Sequence, residues 1–247
     1  MKTLHILITI LLFVSCKTEY KDVIEKYNDG KPKDVHIYKS NDNKKNYQII
    51  RYFQNGKIQF IGIVKNGKFI GQKINYNSNG KLKQIDSLIN PCELDFCCCD
   101  GRVTKFDTNG KILVDYENKN GVENGLVRTY DKNGKLKDSY YMNNGKKNGI
   151  GHLYFDNGTL QSNVEYENDL VKGEEILFDK KGDTTAIFYY KDHIHQFPMK
   201  FWKDKNIKLY GDLIPNSNKV LWIWKNDNGI ELKRQWAVNS DTLNIPE

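Results

Sequence analysis

The chain has 247 residues, of which 28% are charged, and a formal net charge of +7. Hydrophobic residues make up 38%, thin for a globule of this length, which weakens both a thick-cored α/β enzyme and a multispan membrane protein. The 12% of aromatics, 28 Asn and 34 Lys against four Arg point to many turns, solvated lysines, and rings standing in for an aliphatic core.

Met1-Lys2-Thr3 precedes an apolar run from Leu4 to Val14, broken by His5 and Thr9. Eleven residues are too few to span a bilayer, which takes roughly 20. A positive start, a short apolar run and a small residue describe a secretory signal peptide over 1–15. Phe13-Val14-Ser15-Cys16 resembles the lipobox of bacterial lipoproteins, with Phe13 where that family usually has Leu. The resemblance implies cleavage before Cys16, a lipid on Cys16, and a chain anchored in the cell envelope. Residues 16–24 then read as anchor and linker.

A period follows. Gly56, Gly80, Gly110, Gly134, Gly158 and Gly182 recur at spacings of 24, 30, 24, 24 and 24. A second series, Gly67, Gly121 and Gly145, lies eleven residues later, and a third, Gly71, Gly125, Gly149 and Gly173, four beyond that. Four residues before each main glycine stands an aromatic: Tyr52, Tyr76, Phe106, Tyr130, Tyr154 and Phe178, with Trp202 before Asn206 in the same phase. Asn-Gly between alternating stretches predicts hairpins with type I′ turns. Gly134–Met142 reads as one strand, Asn144–Gly149 as a turn with two permissive glycines, and Gly151–Phe155 as the returning strand. The prediction is all-β: an elongated antiparallel meander of stacked hairpins over 25–205. Seven or eight such repeats, with strands about 4.8 Å apart, span on the order of 70 Å. The in-phase aromatics are expected to form a cross-strand ladder, a candidate binding surface.

Tyr141–Gly158, with an aromatic, Asn-Gly-Lys, a further glycine, a second aromatic and Asn-Gly, resembles a MORN repeat. Tyr116–Gly134 and Tyr166–Gly182 resemble it more loosely. The form is similar to the MORN variant of YwqK-like antitoxin proteins. The resemblance implies a β-hairpin array and binding or scaffolding rather than catalysis. The export signal is a departure, since such antitoxins are pictured with an intracellular toxin.

The insertion between Gly80 and Gly110, about 86–100, carries Cys92, Cys97, Cys98 and Cys99. An exported setting favours disulfides. Cys92 paired across the loop to one of the triplet is expected over a strained vicinal bond, with a thiolate metal site and reactive thiols as the alternatives. The shaped loop is a candidate recognition element. His193 and His195 fall near a hairpin end, where an exposed turn outweighs a metal site. No nucleophile triad, zinc motif or phosphate loop appears. No catalytic residue, metal or cofactor is therefore expected. Lys57, Lys81, Lys111 and Lys135 each follow a main glycine and line one sheet edge, either as solvated edge lysines or as an anion-attracting rim. Export and the scarcity of Arg argue against nucleic acid. Trp202, Trp222, Trp224 and Trp236 all lie late. Residues 206–247 are expected to form a terminal β cap, with Trp222 and Trp224 on one face and an aromatic platform as the alternative. The expected function is an exported, lipid-anchored, non-catalytic binding or scaffold module. Its partner would be a protein, such as a toxin, or an envelope component. The alternatives are a structural envelope spacer and a carbohydrate-binding or carbohydrate-active protein.

Overall fold

The computed structural model describes residues 19–40, 44–94, 100–191, 194–203, 206–213, 219–226 and 228–238. The meander opens with β1 (Tyr20–Lys26), β2 (Pro32–Tyr38), β3 (Asn46–Tyr52), β4 (Ile58–Lys65) and β5 (Lys68–Tyr76). It continues through β6 (Leu82–Leu88), β7 (Cys92–Glu93), β8 (Gly101–Phe106), β9 (Ile112–Lys119) and β10 (Val122–Tyr130). Next come β11 (Leu136–Asn143), β12 (Lys146–Lys147), β13 (Gly149–Tyr154), β14 (Leu160–Glu167) and β15 (Leu170–Phe178). It ends with β16 (Thr184–Lys191), β17 (Ile194–Lys203), β18 (Asn206–Leu213), β19 (Lys219–Lys225) and β20 (Glu231–Val238). Among the described residues there is no helix, and all strands join one antiparallel sheet. β1 and β20 do not pair with each other, so the sheet is open. The fold is the predicted meander. Strands β18–β20 extend it by the same pairing rule.

The two sheet edges use different turns. On the edge of the main glycines, Gly134 N–H donates to Asp131 C=O (2.9 Å) and Asp131 N–H to Lys135 C=O (2.8 Å). The same pair of bonds closes the turns at Gly30, Gly56, Gly80, Gly110, Gly158, Gly182 and Gly229. Only the glycine has positive φ there, +81° at Gly134. This is a type I turn ended by a glycine bulge, not the expected type I′ turn. The reason is side-chain capping. Asp131 Oδ1 accepts Asn133 N–H (2.8 Å) and Lys135 N–H (2.9 Å), and Asp107, Asp179 and Asn226 cap their turns alike. Where the first turn residue is Phe53 or Phe155, the cap moves to Asn55 or Asn157. Type I′ turns do form on the opposite edge. There Asn66-Gly67, Asn120-Gly121, Asn144-Gly145 and Asn168-Asp169 have positive φ at both residues.

The third glycine series lies inside strands rather than in turns. Gly71, Gly125 and Gly173 have φ of +66°, +76° and +67° beside register shifts in their pairings, so each makes a bulge. Gly149 opens β13 at φ +88°. The predicted six-residue turn over Asn144–Gly149 is thus two residues long, and Lys146 and Lys147 already pair with Asn143 and Met142. The lysines after the main glycines differ from a bare rim. Lys57 Nζ donates to Asn79 C=O (2.7 Å), Lys111 Nζ to Lys132 C=O (2.8 Å) and Lys135 Nζ to Asp156 C=O. Each of these three lysines stitches its turn to the next, because the neighbouring turn, two strands on, presents a carbonyl within reach.

A one-layer sheet has no second layer to cover it; its hydrophobic clusters gather across one face, while Val35 and Ile85 are buried on the other. Val64, Phe69, Val103, Tyr116, Val127, Met199, Leu209, Val220 and Trp222 are buried on the first. Glycines make the room. A Cβ on Gly62 would meet the Phe69 ring at 2.7 Å, on Gly151 the Tyr166 ring at 2.9 Å, and on Gly211 the Trp222 ring at 2.5 Å. Rings lie over bare backbone and bury area that a second layer would otherwise bury. Trp222 and Trp224 share this face, as the alternation predicts. Trp222 joins Met199, Leu209 and Val220 in one cluster, with Phe188, Phe201 and Trp224 against it. In the insertion, β7 pairs with β5 through Phe69 and Cys92, while β6 pairs directly with β8. Cys92 is buried with Val64 and Phe69 and is disulfide-bonded.

Candidate binding face

The opposite face carries one unbroken row of directly paired residues. It starts Val23, Val35, Ile50, Ile61, Ile74, Ile85, from β1 to β6. It then turns polar for six strands: Thr104, Asp115, Arg128, Ser139, His152, Asn163. It returns to Ile176 and Ile187 on β15 and β16. At about 4.8 Å per strand the polar strip is roughly 24 Å long. The repeats on either side show that this position accepts a β-branched aliphatic side chain, which suits a pleated surface best. Asp115 and Ser139 are nevertheless buried there, at 3% and 6% exposure. Burying polar groups costs free energy unless they are paired, so the strip is not what packing alone selects.

Asp115 is paired by Arg102. Arg102 Nε donates to Asp115 Oδ1 (2.5 Å), Arg102 Nη2 donates to Oδ2, and Thr104 Oγ1 donates to Oδ1 (3.4 Å). This fork raises the already high Arg102 pKa further, through the hydrogen bond first and the Asp115 charge second, against the opposing effect of burial. Arg128 approaches the same carboxylate only to 4.0 Å. Two guanidiniums therefore share one carboxylate. Glu117, the cross-strand partner of Arg102, turns toward Gly125, whose added Cβ would meet Glu117 Oε2 at 2.8 Å. Further along, His152 Nδ1 lies 2.6 Å from Asn163 Oδ1, a donor–acceptor pair that fixes both side chains.

One flank mixes exposed apolar residues with Glu117 and Glu165, the latter paired with Ile150. Leu126 and Tyr141 pair directly on this face, with Tyr141 50% exposed and Ile150 53% exposed beside them. On the other flank stand Tyr130, paired with Leu136, and Tyr154, paired with Leu160. Burial raises the Tyr130 phenol above its ordinary pKa, and the Asp115 charge adds to the rise.

The structure places the other sequence-predicted residues as follows. Tyr52, Tyr76, Phe106, Tyr130, Tyr154 and Phe178 are half-buried, each the last residue of its strand, and Trp202 is half-buried next to the last residue of β17. They do not stack on one another. Because a repeat holds two strands, each pairs with the residue across its turn: Ile58, Leu82, Ile112, Leu136, Leu160, Thr184 and Ile207 in order. Cys16, His193 and Cys97–Cys99 lie outside the described residues, and so does the sulfur that Cys92 bonds. The polar strip was not singled out from sequence. Its signal was the loss of the Ile or Val that stands two residues before an in-phase aromatic, as Ile50 precedes Tyr52 and Ile74 precedes Tyr76. Among the described residues no group of three or more His, Cys, Asp or Glu is placed to hold a metal ion.

An open sheet of consecutive hairpins with glycine-marked turns defines a stacked-hairpin repeat protein. Within it, residues 123–144 match the MORN repeat variant, so a MORN repeat variant is present at β10 and β11. This stretch contains Arg128 and Ser139, the middle of the polar strip. Such repeats generally serve as protein- or membrane-binding modules. No curated protein matches the chain.

Proposed function

We propose that the chain is an exported, non-catalytic binding protein, lipid-anchored through Cys16 in the cell envelope. Its array presents the Thr104–Asn163 strip to a protein partner. The observation that carries this reading is the polar interruption of an otherwise aliphatic row. A pure spacer gains nothing by burying Asp115 and Ser139 where Ile fits, whereas a recognition surface gains guanidinium donors, at Arg102 and Arg128, gathered around the buried carboxylate and still exposed. The YwqK-like resemblance makes a toxin the first partner to try and gives the protein an immunity-like role.

The test is photo-crosslinking in the native cell. A photoreactive residue at position 152 should yield one discrete protein adduct, and the same residue at position 233, on the other face of β19's partner strand, should not. Cys16→Ser should leave the membrane fraction. Equal labelling from both positions, or a Cys16→Ser protein still membrane-bound, contradicts the corresponding half of the proposal.

A further inference from the structure

The chain has four arginines among 34 lysines, and the four are not used alike. Arg51 forks onto Asp34 through Nε and Nη2 at 2.7 and 2.9 Å. Arg234 forks onto Glu231 through the same atoms at 2.6 and 2.7 Å. Arg102 forks onto Asp115. The Arg128 side chain makes no hydrogen bond among the described residues, and its one salt-bridge neighbour there is the carboxylate that Arg102 already holds. In a chain that otherwise takes Lys for positive charge, Arg stands where a planar fork meets a carboxylate. At Arg128 the fork has no carboxylate of its own and only a 4.0 Å share of the one that Arg102 holds. The side chain is 38% exposed, in the middle of the strip, with Tyr141 and Ile150 exposed beside it. A central Arg next to an exposed Tyr and an aliphatic rim is the composition that concentrates binding energy at protein interfaces.

Resting on the binding reading above, we propose that Arg128 is the specificity anchor of the strip. The partner it takes is a protein segment carrying an Asp or Glu side chain, or a chain-terminal carboxylate, next to an apolar residue. The carboxylate completes the fork of Arg128, and the apolar neighbour covers Tyr141 and Ile150. A neutral glycan would leave the guanidinium without a counter-charge, so the charge balance favours a protein.

The probe is a phage-displayed library of random dodecapeptides, selected on the detergent-solubilised full chain. Clones are then compared on wild type, Arg128→Gln, Arg128→Lys and Lys233→Gln, each checked for a native circular dichroism spectrum. The expected result is enrichment of peptides with Asp or Glu beside an apolar residue. Their affinity should fall at least tenfold on Arg128→Gln, be only partly restored by Arg128→Lys, and be unchanged on Lys233→Gln. It should also weaken with added salt. Enriched peptides without acidic residues, or acidic ones that bind Arg128→Gln as well as wild type, overturn the anchor while leaving the binding function standing. Calorimetric heat from maltoheptaose with none from acidic peptides assigns the strip to glycans and also overturns it. Failure of the binding function itself is read separately, as loss of the position-152 adduct in cells.

Discussion

The polar strip can be repaired to match its neighbours, and the repair separates stability from recognition. Asp115→Ala removes the acceptor of two Arg102 hydrogen bonds and one from Thr104. Breaking a buried ion pair by deleting one partner costs about 3–5 kcal/mol. Arg102 is 59% exposed and rehydrates once released, which brings the expected cost down to about 2 kcal/mol. Asp115→Val with Arg128→Ile instead gives two positions of the strip the aliphatic side chains that Ile85 and Ile176 supply beyond its ends. Burying an aliphatic side chain contributes about 1.5–3 kcal/mol, which offsets the lost ion pair. The double variant should therefore lie within about 1 kcal/mol of wild type. Urea unfolding followed by far-ultraviolet circular dichroism reads the whole array. Tryptophan fluorescence reads only its end, since all four Trp lie between 202 and 236. The circular dichroism midpoint should drop for Asp115→Ala and hold for the double variant, while partner binding is lost in both. If the double variant is as unstable as Asp115→Ala, the strip exists for stability and the functional reasoning fails.

Further outcomes follow from the turns, the glycines and the array. Gly151→Ala forces a Cβ to 2.9 Å from the Tyr166 ring and should cost about 1–3 kcal/mol by overpacking. Gly134→Ala meets nothing within 4 Å but sits at φ +81° and should cost about 1 kcal/mol by backbone strain alone. Urea midpoints in the reverse order would refute the packing account. The Asp107, Asp131 and Asp179 carboxyls are held below their ordinary pKa, chiefly by the backbone N–H of Lys111, Lys135 and Asp183 respectively. Their contribution is thus complete above the ordinary value of about 3.9 and is lost as pH falls through the depressed values. Replacing all three with Asn, the cap already used at Asn226, should flatten the fall of melting temperature below about pH 4. Parallel curves for variant and wild type would dismiss the cap as the cause. Deleting residues 32–57, which removes β2 and β3 as a unit, should leave an array that still binds acidic peptides, since the strip begins at β8. Loss of binding in a folded deletion protein would tie recognition to the removed strands.

The fold was legible because one device repeats. A glycine every 24 residues, an aromatic four before it and Asn-Gly eleven after it fix strand count, direction and both edges. Turn type was half legible. Asn-Gly specifies positive φ at both residues only where nothing competes. At Asn133-Gly134 the carboxylate of Asp131, two residues earlier, captures the turn and leaves only the glycine left-handed. The third glycine series looked like turn residues because permissive backbone serves bulges and turns equally. Which face gathers the ring clusters was not legible from alternation, as rings occur on both, at Tyr140-Tyr141 for example. It is decided by Gly62, Gly151 and Gly211, whose missing side chains admit rings from neighbouring strands. The strip was visible only as a substitution pattern between repeats. Arg128 looks like any solvent-facing charge until the register sets it in line with Ile74 and Ile176.

The position of the strip along the array bears on its use. Counting strands abreast, β8 is the seventh from β1 and β14 the twelfth. At about 4.8 Å each, the strip lies roughly 30–50 Å along the sheet from β1. Tyr20, the first residue of β1, comes four residues after Cys16. With Cys16 anchored as proposed, the aliphatic strands β1–β6 form an arm between membrane and strip. A flexible tether of the same roughly 70 residues would have a similar mean span, about 45 Å, but neither a fixed length nor a fixed direction. Cross-strand pairing of Val35, Ile50, Ile61, Ile74 and Ile85 and the lysine stitches between turns supply both without a second layer. Along the central row the polar residues are thereby kept out of the arm and gathered beyond it. On the proposed function, the same repeat serves two ends, holding distance where its central residue is aliphatic and recognising a partner where it is polar.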